Sequence, residues 1–260
     1  MSAPPIRPPL PELALSADEV ERILEHCDGQ ALLVGGQSLA FWVQRYELPR
    51  PEVLAMAVSN DVDFLGSSRV ARALHRSLAG GDWKLWEPRM DDSTNQTAKL
   101  SQSLPEGIKQ IDFLDSLIGM SSADIQSRAV ELTLPNGKRL RIMHPLDVLE
   151  SRLRNLASLP AKRNAQGIEQ GRLAIEVVRH YVREMLAAGR PRDVFEAAER
   201  LHEMAGDRRL LGVHFDYALD PLEAMPSDQV PHESFRSERW PRIKAEVAKR
   251  RASYAKRRNR

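Results

Sequence analysis

Cysteine is almost missing from this chain. Cys27 stands alone, so no internal disulfide can form and a cysteine-rich zinc site is excluded. Metal chemistry here must use carboxylate oxygens or histidines. Long apolar runs are absent too, and the mean hydropathy of -0.43 excludes a membrane span. The opening residues, MSAPPIRPPLPEL, lack the apolar stretch of a signal peptide or anchor, which predicts a cytoplasmic protein. No Walker lysine follows a glycine loop, and G-x-G-x-x-G, G-x-S-x-G and H-E-x-x-H do not occur, so several common enzyme classes lose support. The histidines, among them His75, His144, His180 and His202, show no ligand spacing and are expected at the surface or in packing.

What is present suits a globular protein. With 260 residues, 42% of them hydrophobic and 28% charged, the chain can bury its own core and has room for an appended module. The net charge of +2 conceals an asymmetry. Residues Arg236 to Arg260 carry a local balance of +9, which leaves the first 235 residues at -7. A basic tail of this kind can meet nucleic acid through its phosphates, or be a solvated, fraying terminal helix.

Four segments are expected along the chain. Residues 1–15 hold five prolines and little to bury, which predicts an extended arm. A second segment, 16–143, reads as α/β. Ser16 with Glu19 behind it predicts a helix cap, and Ala31-Leu32-Leu33-Val34, short and flanked by glycines, predicts a buried strand. Gly35-Gly36 then turns the chain into a helix from Gln37 to Tyr46. Asp61-Val62-Asp63-Phe64-Leu65 alternates acid with bulk, so both aspartates share one strand face. Further strands are expected at 83–86, 97–101 and 109–115, the last with Asp112 facing away from Ile111 and Phe113. A hairpin is expected about Pro135-Asn136-Gly137. From 144 to 220 the periodicity becomes helical. A loop from Pro221 to Glu233 is expected to set off the basic terminal helix within 221–260, whose stripe of Trp240, Ile243, Val247 and Tyr254 is expected to dock on the body.

The chemistry lies in the first half. A nucleoside triphosphate carries about four negative charges, and attack at its phosphorus needs charge neutralisation more than covalent help. A pair of magnesium ions held by carboxylates supplies this. Two aspartates at i and i+2 of a strand stand about 6 to 7 Å apart on one face, and a third on a neighbouring strand can hold an ion or orient the attacking hydroxyl. A glycine turn lets backbone N–H groups approach the phosphates, with Ser38 adding a hydroxyl at the helix start. Taken singly, each of these features is common in purely structural roles.

The ordered set Gly35-Gly36-x-Ser38, Asp61-x-Asp63 and Asp112 resembles the nucleotidyltransferase fold of the DNA polymerase beta superfamily. Its closest likeness is to the AbiEii-like branch, which includes toxins of toxin-antitoxin systems. His144-Pro145-Leu146-Asp147-Val148-Leu149-Glu150, entering an Arg-rich helix, is similar to that branch's second motif. The resemblance covers about residues 30 to 190. It implies an α+β fold, with a mixed sheet flanked by helices and followed by a helical C-terminal domain. It also implies a two-metal Mg²⁺ site on Asp61, Asp63 and Asp112, triphosphate binding by Gly35, Gly36 and Ser38, and transfer of a nucleotide to a hydroxyl of transfer RNA or protein. An antitoxin partner and an RNA acceptor met by the basic tail belong to the same picture. The sequence departs from the pattern in two places. The spacing between Ser38 and Asp61 makes Arg50 to Asn60 an insertion, and the branch's lysine positions are taken by Arg152 or Arg154 and by Lys162-Arg163. The alternative expectation is a catalytically inactive module that keeps the fold and serves regulation or binding.

Overall fold

The computed structural model describes residues 11–49, 61–78, 81–134 and 136–258. Most of the proline-rich arm and the whole Arg50–Asn60 insertion therefore lie outside the described residues. The chain divides into two compact units. One comprises the chain up to Gln37 together with the stretches to Leu117 and Ser121–Ile142. The other comprises residues from Ser38 to 49, Ile118–Met120 and the chain from Met143 onward. The protein is thus of mixed α+β class, with a sheet unit and a helical C-terminal part.

Among the described residues, the sheet unit is built on a 7-stranded sheet. Helix α1 (Ala17–Cys27) opens on a capping box. The Ser16 hydroxyl accepts from the Glu19 N–H at 3.3 Å and the Glu19 carboxylate accepts from the Ser16 N–H at 2.8 Å, satisfying two of the donors a helix start leaves orphaned. Strand β1 (Leu32–Val34) follows, every residue buried, as a strand in the middle of a sheet requires. Helix α2 (Gly35–Arg45) begins at once. Sequence places its start at Gln37, after a two-glycine turn. The positive φ of Gly35, +66°, lets the chain turn straight from strand to helix, so no linking residue is used.

The remaining elements are β2 (Val62–Leu65), α3 (Ser68–Ser77), β3 (Trp83–Trp86), β4 (Gln96–Leu104), β5 (Gly107–Leu114), α4 (Ser122–Ser127), β6 (Val130–Thr133) and β7 (Arg139–Ile142). Their order across the sheet is β3-β4-β5-β2-β1-β7-β6. Strand β2 lies antiparallel to β1 and parallel to β5, and β1 is parallel to β7, so the sheet is mixed. Val62, Phe64, Ile111 and Phe113 are fully buried on one face, where the two phenylalanine rings stack with centroids 5.4 Å apart. Full burial of side chains this size contributes about 1.5 to 3 kcal/mol each. The expected hairpin forms between β6 and β7, with Gly137 at φ +81° in its turn.

The described end of the arm pairs with the sheet. Ile108 donates to the Pro11 carbonyl and Leu13 donates to the Ile108 carbonyl, both at 2.9 Å. Strand β2 first pairs with β5 at Ile111, which leaves the edge of β5 open at Ile108. Residues Pro11 to Leu13 fill that gap in parallel.

The helical unit contains α5 (Pro145–Ser158), α6 (Ala165–Ala187), α7 (Pro191–Gly206), α8 (Leu211–Tyr217) and α9 (Trp240–Arg258). Proline opens α5 and α7 at the first turn, where its missing N–H costs nothing. The segment after Pro221 is no spacer. It forms short 3-10 turns at Pro221–Ala224 and Ser227–Gln229, and Leu222, Ala224, Met225 and Val230 are buried. Apolar side chains this frequent need cover, which a solvated linker does not give. The terminal helix docks as its stripe predicts, with Trp240, Ile243 and Val247 buried and Tyr254 half-buried.

Candidate active site

Strand alternation builds the acidic face. Because Val62, Phe64, Ile111 and Phe113 turn into the core, Asp63 and Asp112 turn out on the other side. In the parallel pairing of β2 with β5, Asp63 stands opposite Asp112, and strands in a sheet lie about 4.8 Å apart. Asp61 precedes β2 by one residue and lies close enough to both to feel their charges. Asp63 also stands opposite Val34, next to the glycine that opens α2. A methyl group on Gly35 would come within 2.1 Å of Asp63 Oδ2. The missing side chain is therefore the space in which this carboxylate sits.

Electrostatics set these acids apart. Asp61 is pushed up to about 6, first by burial and then by the charges of Glu12, Asp63 and Asp112, against some relief from Lys99. Its Oδ1 atom is buried and accepts no hydrogen bond among the described residues. Asp112 is also raised, again first by burial, while Lys99 pulls the other way. Lys99 lies opposite Asp112 on β4 and its Nζ is 3.5 Å from Asp112 Oδ1. The Gln96 amide donates to the same oxygen at 3.1 Å, and Lys99 also donates to Gln110 Oε1 at 2.9 Å. Buried like charges with an orphan oxygen raise the free energy of the ionised site, and such strain concentrates where function needs it.

Two members of this face escape sequence reasoning. Lys99 sits in a polar stretch, Gln96 to Ser103, whose β character is weak one residue at a time. Its role appears only through the β4–β5 register. Glu12 lies in the arm, where no periodicity marks it. It reaches the face because the arm pairs with β5, and it accepts from the Gln110 amide at 3.0 Å.

The three arginines among the expected nucleotide ligands of the helical unit have other engagements, and Ser38 and Lys162 differ from them. Ser38 is fully buried and its hydroxyl has no hydrogen-bond partner among the described residues. Arg152 is buried in α5 and donates to Gln170 at 3.2 Å. Arg154 pairs with Glu150 at 2.8 Å and with Asp207 at 3.3 Å. Arg163 donates to the carbonyls of Leu156 and Ala157 at 3.0 and 2.7 Å, where the end of α5 leaves acceptors unsatisfied. Lys162 is exposed. Only the glycine turn and the three aspartates are brought together within one unit.

Among the described residues, no three His, Cys, Asp or Glu side chains are gathered closely enough to cage an ion unaided. Magnesium does not demand such a cage, since one or two carboxylates with water and substrate phosphates suffice. The donor chemistry fits: hard oxygens, crowded negative charge and an unsatisfied Asp61 oxygen. Compared with known protein families and with curated proteins, the chain matches none.

Proposed function

We propose that this protein is a Mg²⁺-dependent nucleotidyltransferase of the DNA polymerase beta type. In this reading it moves a nucleoside monophosphate from a triphosphate to a hydroxyl acceptor, with pyrophosphate leaving. The observation that carries the reading is the pairing of Asp63 with Asp112 beside the Gly35 turn, with Asp61 on the same face. Asp61 and Asp63 would hold the magnesium, which when bound supplies the positive charge a triphosphate needs. Asp112, held between Lys99 and Gln96, orients the acceptor hydroxyl and takes its proton, a role suited to a carboxyl with a raised proton affinity. The first N–H groups of α2, at Gly35 and Gly36, face the phosphates from a helix start. The resemblance to AbiEii-like toxins further proposes a place in a toxin-antitoxin pair, with transfer RNA or a protein as acceptor.

Incubation with each of four α-labelled triphosphates, Mg²⁺ and total RNA or total protein tests this. Label is expected in an acid-insoluble product for at least one triphosphate, and its absence from every combination overturns the reading. The Lys99–Asp112 ion pair favours a second reading, in which a lysine ammonium occupies the charge site of a dead cleft. Thermal shift separates the two. Mg²⁺ with a triphosphate stabilises a working site by several degrees more than either alone, whereas a cleft closed by Lys99 shows no such synergy.

A further inference from the structure

Within the helical unit, α9 and the turn that joins α7 to α8 leave between them an open cleft of about 580 Å³ whose charged lining is wholly basic. Four cations line it, Arg208, Lys249, Arg250 and Arg257, with Ser253 between them and no carboxylate. All four are exposed. Acids of the same region are engaged elsewhere: Asp207 with Arg154, Asp216 with Arg258, Asp220 with Arg251 and Glu246 with His202. The basic tail is therefore divided, part of it spent on internal ion pairs and part lining one groove, where Arg250 also donates to the Gly206 carbonyl at 3.5 Å. Gly206 shapes this groove, because a side chain there would strike the Arg250 guanidinium at 2.3 Å.

Two further features fix the kind of ligand. Lys249, Arg250, Ser253 and Arg257 follow one face of α9 over about 12 Å, longer than one phosphate and comparable to several along a nucleic-acid strand. Outside the cleft lining, four residues after Arg250 on α9, stands an aromatic plate. Phe215 of α8 is 41% exposed and stacks on Tyr254 with centroids 5.6 Å apart and planes 15° from parallel. Tyr254 is the neighbour of Ser253 in α9, three residues before Arg257. Cations that track a backbone, with a flat ring beside them for a base, are the elements of single-strand binding.

We infer that this cleft binds the phosphodiester backbone of a single-stranded nucleic acid, with Phe215 stacking on one of its bases. The inference goes beyond nucleotide transfer and does not depend on it. Deleting the tail would not test it, because Trp240, Ile243 and Val247 belong to the core. Point substitutions of exposed residues in the full chain will serve. Fluorescence anisotropy with a labelled 20-nucleotide RNA is the measurement, with circular dichroism to confirm folding. R250A/R257A is expected to weaken binding at least tenfold and to flatten the slope of log K against log salt by about 1.4, two contacts at ~0.7 each. F215A is expected to weaken it about fivefold with little change in slope. R242A/K244A, equal in charge and on the same helix outside the cleft, is the control. Equal loss in cleft and control variants overturns the inference, as does an undisturbed R250A/R257A or complete competition by equimolar pyrophosphate. D63A, which abolishes the proposed transfer, is expected to bind RNA as the parent does, so failure of the catalytic reading and failure of this one are distinguishable.

Discussion

Asparagine in place of Asp61 is expected to make the protein more stable at neutral pH and to remove the proposed transfer activity. The ordinary carboxyl value is 3.8, whereas in the folded protein Asp61 keeps its proton up to about 6. Between these values the unfolded chain has released a proton that the native state still holds. Stability therefore falls as pH rises from about 4 to about 6, and the loss persists above that. The group is only partly buried, so after screening the effect is on the order of 1 kcal/mol. Asparagine cannot ionise and relieves the repulsion from Glu12, Asp63 and Asp112. The melting temperature at pH 7.5, in chelator, is expected to rise by about 2 to 4 °C, and the gain is expected to vanish at pH 4. Transfer is expected to fall by about 10² to 10³, the usual loss when one preorganised charge is removed. D61N with full activity would sink the catalytic assignment. Lower stability at pH 7.5 would instead sink the electrostatic one.

Local signals in the sequence anticipate those elements whose side chains alternate or repeat clearly. Val62 and Phe64 against Asp61 and Asp63 announce a strand with one acidic face, and β2 has that face. The Ser16 cap, the Pro191 start and the Gly137 turn act within a few residues, so no distant partner is needed to see them. What was hidden depended on pairing. A strand is legible at 97–101, but its extension to nine residues, Gln96 to Leu104, is not, because few of the added residues favour strands and it is β3 and β5 that hold them on both sides. Pro11 to Leu13 joins the sheet because β2 starts late against β5, a matter of register that no local pattern encodes. The same limit governs the candidate site. The aspartates are legible one strand at a time, but the opposition of Asp63 to Asp112 and the insertion of Lys99 beside them come from strand order. Arg154 and Arg163 illustrate the converse, since their apparent freedom on an amphipathic helix ends once Asp207 and the α5 carbonyls are in place.

Alanine at Gly35 is expected to disable the site from the opposite direction, by occupying space the carboxylate needs. Two costs combine. The φ of +66° strains any residue with a β-carbon by about 1 to 2 kcal/mol. In addition, the new methyl group would sit 2.1 Å from Asp63 Oδ2, 2.9 Å from its Cγ and 3.0 Å from its Cβ, so the carboxylate must leave its present position. Unfolding by urea should show a loss of at least about 2 kcal/mol, with transfer reduced to the level of D63A. The two costs can be separated by a double-mutant cycle. In a D63A background the close carboxylate atoms are gone and only the Cβ contact remains, so G35A should cost less there, with a coupling of about 0.5 to 3 kcal/mol. The backbone strain, which does not involve Asp63, persists in both backgrounds. Strict additivity would mean that Gly35 serves the turn alone. A double-mutant loss smaller than the sum of the two single losses would mean that the strand-to-helix turn and the aspartate on β2 form one structural unit, with the glycine's conformation and its empty side serving the same carboxylate.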